Sequence, residues 1–388
     1  MESPEPDEMV ARARALVPVL ATRVVATEFS REVSAETIAA FHQAGILRVL
    51  QPRAFGGLQG SFLTFSRIIE ELAFGCAASA WVYAVLAEHA WIIACFPEQA
   101  QIDVWGSMPA AVASSSLAPR SIAQRLDGGY RLSGRYPFSS GSLHAQWAII
   151  GALTEEPDDS RPTRYMLVPM QEIERIDDWN TLGLRGTGSQ SLRLDDVFVP
   201  AYRTVLLSDL RNGTPPGRLV HPDFPLLRAP RDYLVPFSLP PVTFSLGRRA
   251  LDMVLPVLRQ RLARETLPPV GMEVTQMKLA ESAAEIDMAV LILHTRRQQA
   301  VAAIEAGATI STEALLTTKR DIVFAQHHIR LAVERLCDIV GTQWVYDTSE
   351  LQTILRDVLT TSTHRVSSWP AAMIPYGRLQ LGLDPRED

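Results

Sequence analysis

Gly129-Tyr130-Arg131-Leu132-Ser133-Gly134-Arg135-Tyr136-Pro137-Phe138-Ser139-Ser140-Gly141-Ser142 follows an Asp127-Gly128 pair. Further along comes Trp179-Asn180-Thr181-Leu182-Gly183-Leu184-Arg185-Gly186-Thr187-Gly188-Ser189. Polar and apolar residues alternate through Tyr130-Arg131-Leu132, and Gly and Asp-Gly positions punctuate the run. That is the pattern of short strands joined by tight turns. The same pattern holds from near Gly106 to about Pro200, through Trp147-Ala148-Ile149-Ile150 and Tyr165-Met166-Leu167-Val168-Pro169. A small antiparallel sheet or barrel is expected there.

On both sides the period changes to that of helices. Apolar residues recur at three and four through Ala11 to Leu20, Ser34 to Ala44 and Thr64 to Phe74, with Ser34 a plausible helix start. Gln51-Pro52-Arg53-Ala54-Phe55-Gly56-Gly57 interrupts them. Residues 201–243 are rich in proline and lack periodicity, which points to an ordered excursion or a lid. Helices are then expected over Leu246–Leu262, Glu273–Glu305, Thr312–Val340 and Ser349–His364, with Pro268-Pro269 and Gly307 as breaks. The fold class is α+β, mostly α. Its divisions are a helical domain (1–105), a β-barrel or sandwich (106–225) and a C-terminal four-helix bundle (226–388).

A chain of 388 residues with 47% hydrophobic and 21% charged residues can bury a large core. Its net charge of −6 offers no basic surface to nucleic acid or anionic lipid. Cys76, Cys95 and Cys337 have neither disulfide parity nor metal-ligand spacing, so a reducing cytoplasm is expected and no metal. The acidic start lacks the features of a secretory signal. Ala78 to Phe96 is apolar enough for a membrane span, but Glu88 and His89 at its middle mark a buried core helix.

The order of blocks and a set of short motifs resemble the acyl-CoA dehydrogenase superfamily over nearly the whole chain. The motifs are Gln51-Pro52 with Gly56-Gly57, Ser139-Ser140-Gly141, Leu351-Gln352 with Arg356-Asp357, and Tyr376-Gly377-Arg378 with Leu381-Gly382-Leu383-Asp384. The resemblance is closer to the oxygenase branch, which contains the oxygenase component of p-hydroxyphenylacetate 3-hydroxylase and related indole, dibenzothiophene and amino-sugar oxygenases. In the dehydrogenases a glutamate just past the Arg-Asp pair removes the α-proton of a thioester. Here Val358-Leu359-Thr360-Thr361-Ser362-Thr363-His364-Arg365-Val366 holds no carboxylate. A dehydrogenase would need another base, such as Glu281 or Glu285.

The resemblance implies the oxygenase component of a two-component monooxygenase. It would take reduced FMN or FAD from a separate reductase, use O2 through a flavin hydroperoxide, and hydroxylate a small aromatic or heteroaromatic substrate. A homotetramer assembled through the bundle is also implied. An acyl-CoA dehydrogenase, or transfer of oxygen to nitrogen or sulfur, are the alternatives. No Gly-x-Gly-x-x-Gly follows a strand, so no nicotinamide module is expected in this chain.

The same resemblance singles out site residues. Ser140 would lie near the reactive locus of the flavin ring, or be a turn serine. Phe138 and Ser139 would touch the ring, with Tyr136 standing where the family keeps tryptophan. Ser115, in the Ser114-Ser115-Ser116 triplet, would face the pocket. His89 is either a satisfied core histidine or a substrate-facing group. His364 takes the position of the dehydrogenase base; a histidine there would accept a phenol proton, or serve a helix end. Arg231 would pair with a substrate oxyanion or the flavin's pyrimidine edge, or be a solvated loop arginine. Arg185 would approach the flavin phosphate, unless its glycines serve only the turn. His327 and His328 are adjacent, so on a helix they diverge and cannot share a metal.

Overall fold

The computed structural model describes residues 5–158, 160–264 and 271–385. They divide into two compact units. One runs to Asn180 and continues over Arg185–Leu234 and Val301–Thr309; the other holds Thr181–Leu184, Val235–Ala300 and the chain from Ile310 on.

The first unit begins with α1 (Pro6–Ser30), α2 (Ala35–Gln43), α3 (Phe62–Gly75), α4 (Ala77–Ala94) and α5 (Glu98–Trp105). Ser34 and Ser61 cap α2 and α3, each accepting from the backbone N–H three residues on, so two otherwise unpaired donors are satisfied. All 18 residues of α4 are buried, as a helix apolar on every side must be. Among the described residues it is the helix that is long and apolar enough to cross a membrane, and it forms part of the core.

Eight strands follow: β1 (Ala113–Ser116), β2 (Ile122–Leu126), β3 (Gly129–Ser139), β4 (Trp147–Thr154), β5 (Thr163–Pro169), β6 (Glu174–Ile176), β7 (Gln190–Pro200) and β8 (Thr204–Leu206). They run in the order β6-β7-β3-β2-β4-β5-β8, with β1 beside β4. The sheet is mixed, which corrects the antiparallel expectation: β4 pairs in parallel with both β1 and β2. Tyr130, Leu132, Tyr136, Ala148, Ile150, Met166, Leu192 and Leu194 pack into one core.

The proline-rich stretch is not an aperiodic excursion. It folds into α6 (Leu207–Asn212), α7 (Gly217–Val220) and α8 (Arg231–Leu234), with a 3-10 turn at Pro225–Arg228 between the last two. Its last prolines, Pro240-Pro241, open the next helix. A proline in the first turn loses no intrahelical bond, and its fixed φ suits the helix.

The second unit contains α9 (Pro240–Ala263), most of α10 (Met272–Glu305), α11 (Thr312–Val340), α12 (Glu350–Thr361) and α13 (Trp369–Gln380). Ser311 caps α11 by accepting from Ala314 N–H at 3.1 Å. Gly307, at φ +63°, breaks the chain between α10 and α11 as expected. Pro268-Pro269 lies outside the described residues. α11 packs on α9, α12 and α13. α12 is shorter than expected: it ends at Thr361, and His364 instead caps a 3-10 turn.

Candidate active site

The end of β3 carries the first half of the site. The pairing of β3 with β7 shifts register between Tyr136 and Ser139. Phe138, inside that bulge, takes φ +66°. A left-handed non-glycine residue costs on the order of 1–2 kcal/mol. Its ring is 64% exposed and meets Trp179 edge-on, with centroids 6.1 Å apart. Arg31 pins the Trp179 segment through Trp179 O at 3.2 Å, Asn180 Oδ1 at 3.1 Å and Asp177 at 2.9 Å. A strained, outward aromatic on a braced edge is a platform for a flat ligand.

Beside it the hydroxyls are buried and joined. Ser139 Oγ donates to Ser114 Oγ at 3.0 Å, and Ser116 Oγ to Pro137 O at 2.7 Å. Ser114 and Ser116 therefore brace β3. Ser115 takes the other face of β1, as strand alternation requires, and it is half-buried. Ser140 Oγ accepts from Trp81 Nε1–H at 3.2 Å and lies 2.6 Å from Ser189 Oγ. Ser189 Oγ lies 2.6 Å from Thr187 Oγ1. Ser140 is thus not a turn serine bonding its own backbone. Gly141, at φ +69°, donates its N–H to Thr187 O at 3.1 Å.

Tyr136 departs from expectation. It is fully buried in the sheet core, with its hydroxyl on Ser121 Oγ. No surface of it is left for a cofactor ring.

His89, near the end of α4, is buried, and its Nδ1 lies 2.6 Å from Ala113 O. A carbonyl only accepts, so Nδ1 carries the proton and Nε2 keeps its lone pair. Burial, aided by the nearby Arg231 cation and opposed by that hydrogen bond, pushes its pKa down to about 4. The imidazole is neutral across physiological pH. The core and substrate-facing readings of His89 are compatible: one nitrogen is satisfied, and the other is an acceptor.

Arg231 is not a solvated loop arginine. Its side chain is 18% exposed, bonds Asp232 at 2.9 Å and lies 5.8 Å from the centroid of the Tyr165 ring. Its charge acts on Glu88 and Tyr165 as well as on His89. The buried Glu88-His89 pair therefore has its compensation: the charge of Arg231 acts on the carboxylate. Arg185, in the 3-10 turn before Thr187, makes no hydrogen bond or ion pair among the described residues, and its Nε is buried without a partner. A guanidinium left this way suits an anion.

In the second unit, His364 is exposed, and its Nδ1 accepts from Val366 N–H at 3.2 Å. The Arg356-Asp357 pair fastens the start of the glycine-rich segment. Asp357 Oδ1 accepts from Leu184 N–H at 2.6 Å, and Arg356 donates to Leu182 O at 2.9 Å. This bond holds Leu184 at φ +50°. The two glutamates that a dehydrogenase reading needs are committed elsewhere. Glu285 bonds Arg335 at 2.7 Å and His328 at 3.2 Å, and these partners hold its carboxyl below the usual range against the opposing effect of burial. Glu281 pairs with the same Arg335 at 3.3 Å. His328 and His327 face Phe324 and Trp369, respectively. No group of three or more metal-ligating side chains exists among the described residues.

Trp81, Thr187 and Ser189 are participants that the sequence did not single out. Thr187 and Ser189 stand in the glycine-rich stretch, where hydroxyls beside glycines were the available signal. Trp81 gave none, because every neighbour on α4 is also buried.

The N-terminal-domain model of acyl-CoA dehydrogenase matches residues 3–108, and the C-terminal-domain model matches residues 242–369. The FADH(2)-dependent resorcinol hydroxylase oxygenase component of Rhizobium sp. (strain MTP-10005) is 32% identical over 97% of this chain and 95% of its own length. The p-hydroxyphenylacetate 3-hydroxylase oxygenase component of Acinetobacter baumannii is 28% identical, covering 97% of this chain and 90% of its own. Among solved structures, the HsaA monooxygenase from M. tuberculosis superposes with TM-score 0.93 at 28% identity over 99% of each chain. XiaF from Streptomyces sp., in complex with FADH2 and glycerol, superposes with TM-score 0.89 at 26% identity over 99% of this chain and 97% of its own. With neither glutamate free to act as a thioester base and matches of this kind along its whole length, the chain belongs to the flavin-dependent monooxygenase branch of the acyl-CoA dehydrogenase superfamily, as the oxygenase component of a two-component hydroxylase.

Proposed function

We propose that this oxygenase takes reduced FAD, rather than FMN, from a separate reductase and hydroxylates a phenolic ring, with His89 accepting a hydrogen bond from the phenol. The carrying observation is the state of His89: neutral, oriented by Ala113 O, and presenting Nε2 as a buried acceptor. A phenol whose O–H is polarised toward this nitrogen becomes a stronger carbon nucleophile, while the imidazole, with its pKa pushed down to about 4, accepts the hydrogen bond without keeping the proton. The nearby Arg231 cation favours the negative charge that builds on the phenolic oxygen during attack. Ser115, half-buried on the face of β1 opposite Ser114 and Ser116, supplies a further hydroxyl to the substrate.

The residues fit a flavin. Phe138 offers an exposed ring, Ser139 and Ser140 offer a buried hydroxyl edge, and Arg185 is a cation with an unpaired Nε. When bound, the reduced flavin activates oxygen and supplies the oxygen atom that is transferred. FAD is favoured because two of the relatives named above carry FADH2 in their names or complexes. The working form is a cytoplasmic homotetramer.

The test is anaerobic titration with reduced FAD and reduced FMN, followed by aerobic turnover with a panel of phenols, indoles, amines and thioethers. Stoichiometric phenol hydroxylation with FADH2 is expected. Formation of hydrogen peroxide alone from every phenol overturns the reading. Oxygenation of amines or thioethers that survives His89→Ala unchanged favours nitrogen or sulfur transfer instead.

A further inference from the structure

The hydroxyl chain Ser140–Ser189–Thr187, capped by the Trp81 indole, has a consequence beyond binding. An indole N–H only donates, so Trp81 always fills one lone pair of Ser140 Oγ, at 3.2 Å. The two remaining contacts, Ser140 to Ser189 and Ser189 to Thr187, are both 2.6 Å and both reversible, since either oxygen can donate. Two proton orders follow. In one, Ser189 donates to Ser140, and the Ser140 proton is free for an acceptor outside the chain. In the other, Ser140 donates to Ser189, and Ser140 presents its second lone pair to a donor outside. All four side chains are buried, so an alternative water partner is not at hand for the Ser140 proton.

A flavin needs both orders. The ring nitrogen that carries a proton in the reduced flavin is a bare acceptor in the oxidised one. Resting on the reading that Ser140 lines the flavin ring, we infer that Ser189 is a positioning residue that lets Ser140 follow the oxidation state of the flavin and so supports preferential binding of the reduced form. The asymmetry is physical. Toward the oxidised ring, Ser140 donates and needs nothing from Ser189 but a second, dispensable acceptor contact. Toward the reduced ring, Ser140 accepts, and its own buried O–H must find an acceptor; Ser189 is the one in place. An unfilled lone pair is tolerated where an unpaired buried O–H is not.

The experiment measures dissociation constants of oxidised FAD and, anaerobically, of reduced FAD by spectral titration of the full chain and its variants. Ser189→Ala is expected to weaken reduced-FAD binding about tenfold and oxidised-FAD binding less than twofold. A tenfold change in that ratio lowers the midpoint potential of the bound flavin by about 30 mV for a two-electron couple, which redox titration reads independently. Ser189→Thr, which keeps the hydroxyl, should restore the ratio. Trp81→Phe should change both constants by a common factor, since its N–H serves both orders. Equal shifts in both constants for Ser189→Ala, or none, overturn the relay. Ser140→Ala is the control: if it changes neither constant, the placement of Ser140 at the flavin fails. If it changes the ratio while Ser189→Ala does not, the placement stands and the relay alone is wrong. A misfolded Ser189→Ala would show in circular dichroism; Thr187→Val, which removes the hydroxyl at the far end of the chain, then carries the test, with a smaller loss of the same ratio expected and an unchanged ratio overturning the relay.

Discussion

His89 and His364 are the two histidines that sequence placed near one chemistry, and their surroundings could hardly differ more. His89 lies in a helix buried on every side, with Nδ1 fixed by a carbonyl and its pKa pushed down to about 4. His364 is exposed at the start of a 3-10 turn, with Nδ1 spent on the backbone of Val366. In the first, the protein chooses the tautomer through a C=O, so Nε2 is the acceptor. In the second, it chooses through an N–H, so a neutral ring carries its proton on Nε2. The same side chain is thus prepared for opposite uses by which backbone atom it meets. The order proposed above, with His89 ahead of His364, is the reverse of the one that the family position of His364 suggests.

The largest effect should separate the two directly. His89→Ala is expected to lower phenol hydroxylation by about 10²–10³-fold, the usual worth of a positioned hydrogen-bonding group in a buried site. Its reduced-FAD affinity should stay within a factor of two. His364→Ala is expected to cost less than tenfold in the same assay. Coupled single-turnover measurements with the preferred phenol decide it. If His364→Ala gives the larger loss, the comparison is inverted and the exposed histidine does the chemistry.

Where the sequence spoke clearly, a single local rule was enough. Gly307 and the long run of helical periodicity put α11 at Thr312–Val340, as read. The alternation in Tyr130-Arg131-Leu132 marked β3, and its parity could have corrected one expectation: Tyr136 shares the face of Tyr130 and Leu132, which is the core face. Phe138 has the same parity yet points out, because a bulge and a positive φ intervene. Those depend on pairing with β7 and cannot be seen from β3 alone. The cost of burying Glu88-His89 was legible; its compensation by Arg231, 142 positions on in the numbering, was not. Trp81 was invisible, since a helix apolar all round gives no face by which to rank its residues.

The second effect tests burial itself. His89 titrates at about 4 in the folded chain and at about 6.5 unfolded. As pH falls through that window the unfolded chain takes the proton and the folded one refuses it, so stability is lost between roughly pH 6.5 and 4. The full difference is on the order of 3 kcal/mol. Thermal melts from pH 7 to 4.5 should therefore fall more steeply for the wild type than for His89→Gln, which has no proton to gain. Parallel curves would mean that His89 is not buried as described.

The smallest effects compare the two caps of the second unit. Asp357 is buried and accepts Leu184 N–H at 2.6 Å, holding a leucine at φ +50°. Asp357→Ala removes a charged acceptor from a buried N–H, at a cost of about 2 kcal/mol. Asp357→Asn keeps an oxygen acceptor and should recover most of this. His364→Ala removes an exposed bond that water replaces, so its melting temperature should lie within a degree or so of wild type. The ratio matters more than either value. If His364→Ala destabilises as much as Asp357→Ala, His364 must carry packing that its exposed cap does not account for, and the contrast drawn between a surface histidine and a buried one would have to be redrawn around a second set of contacts.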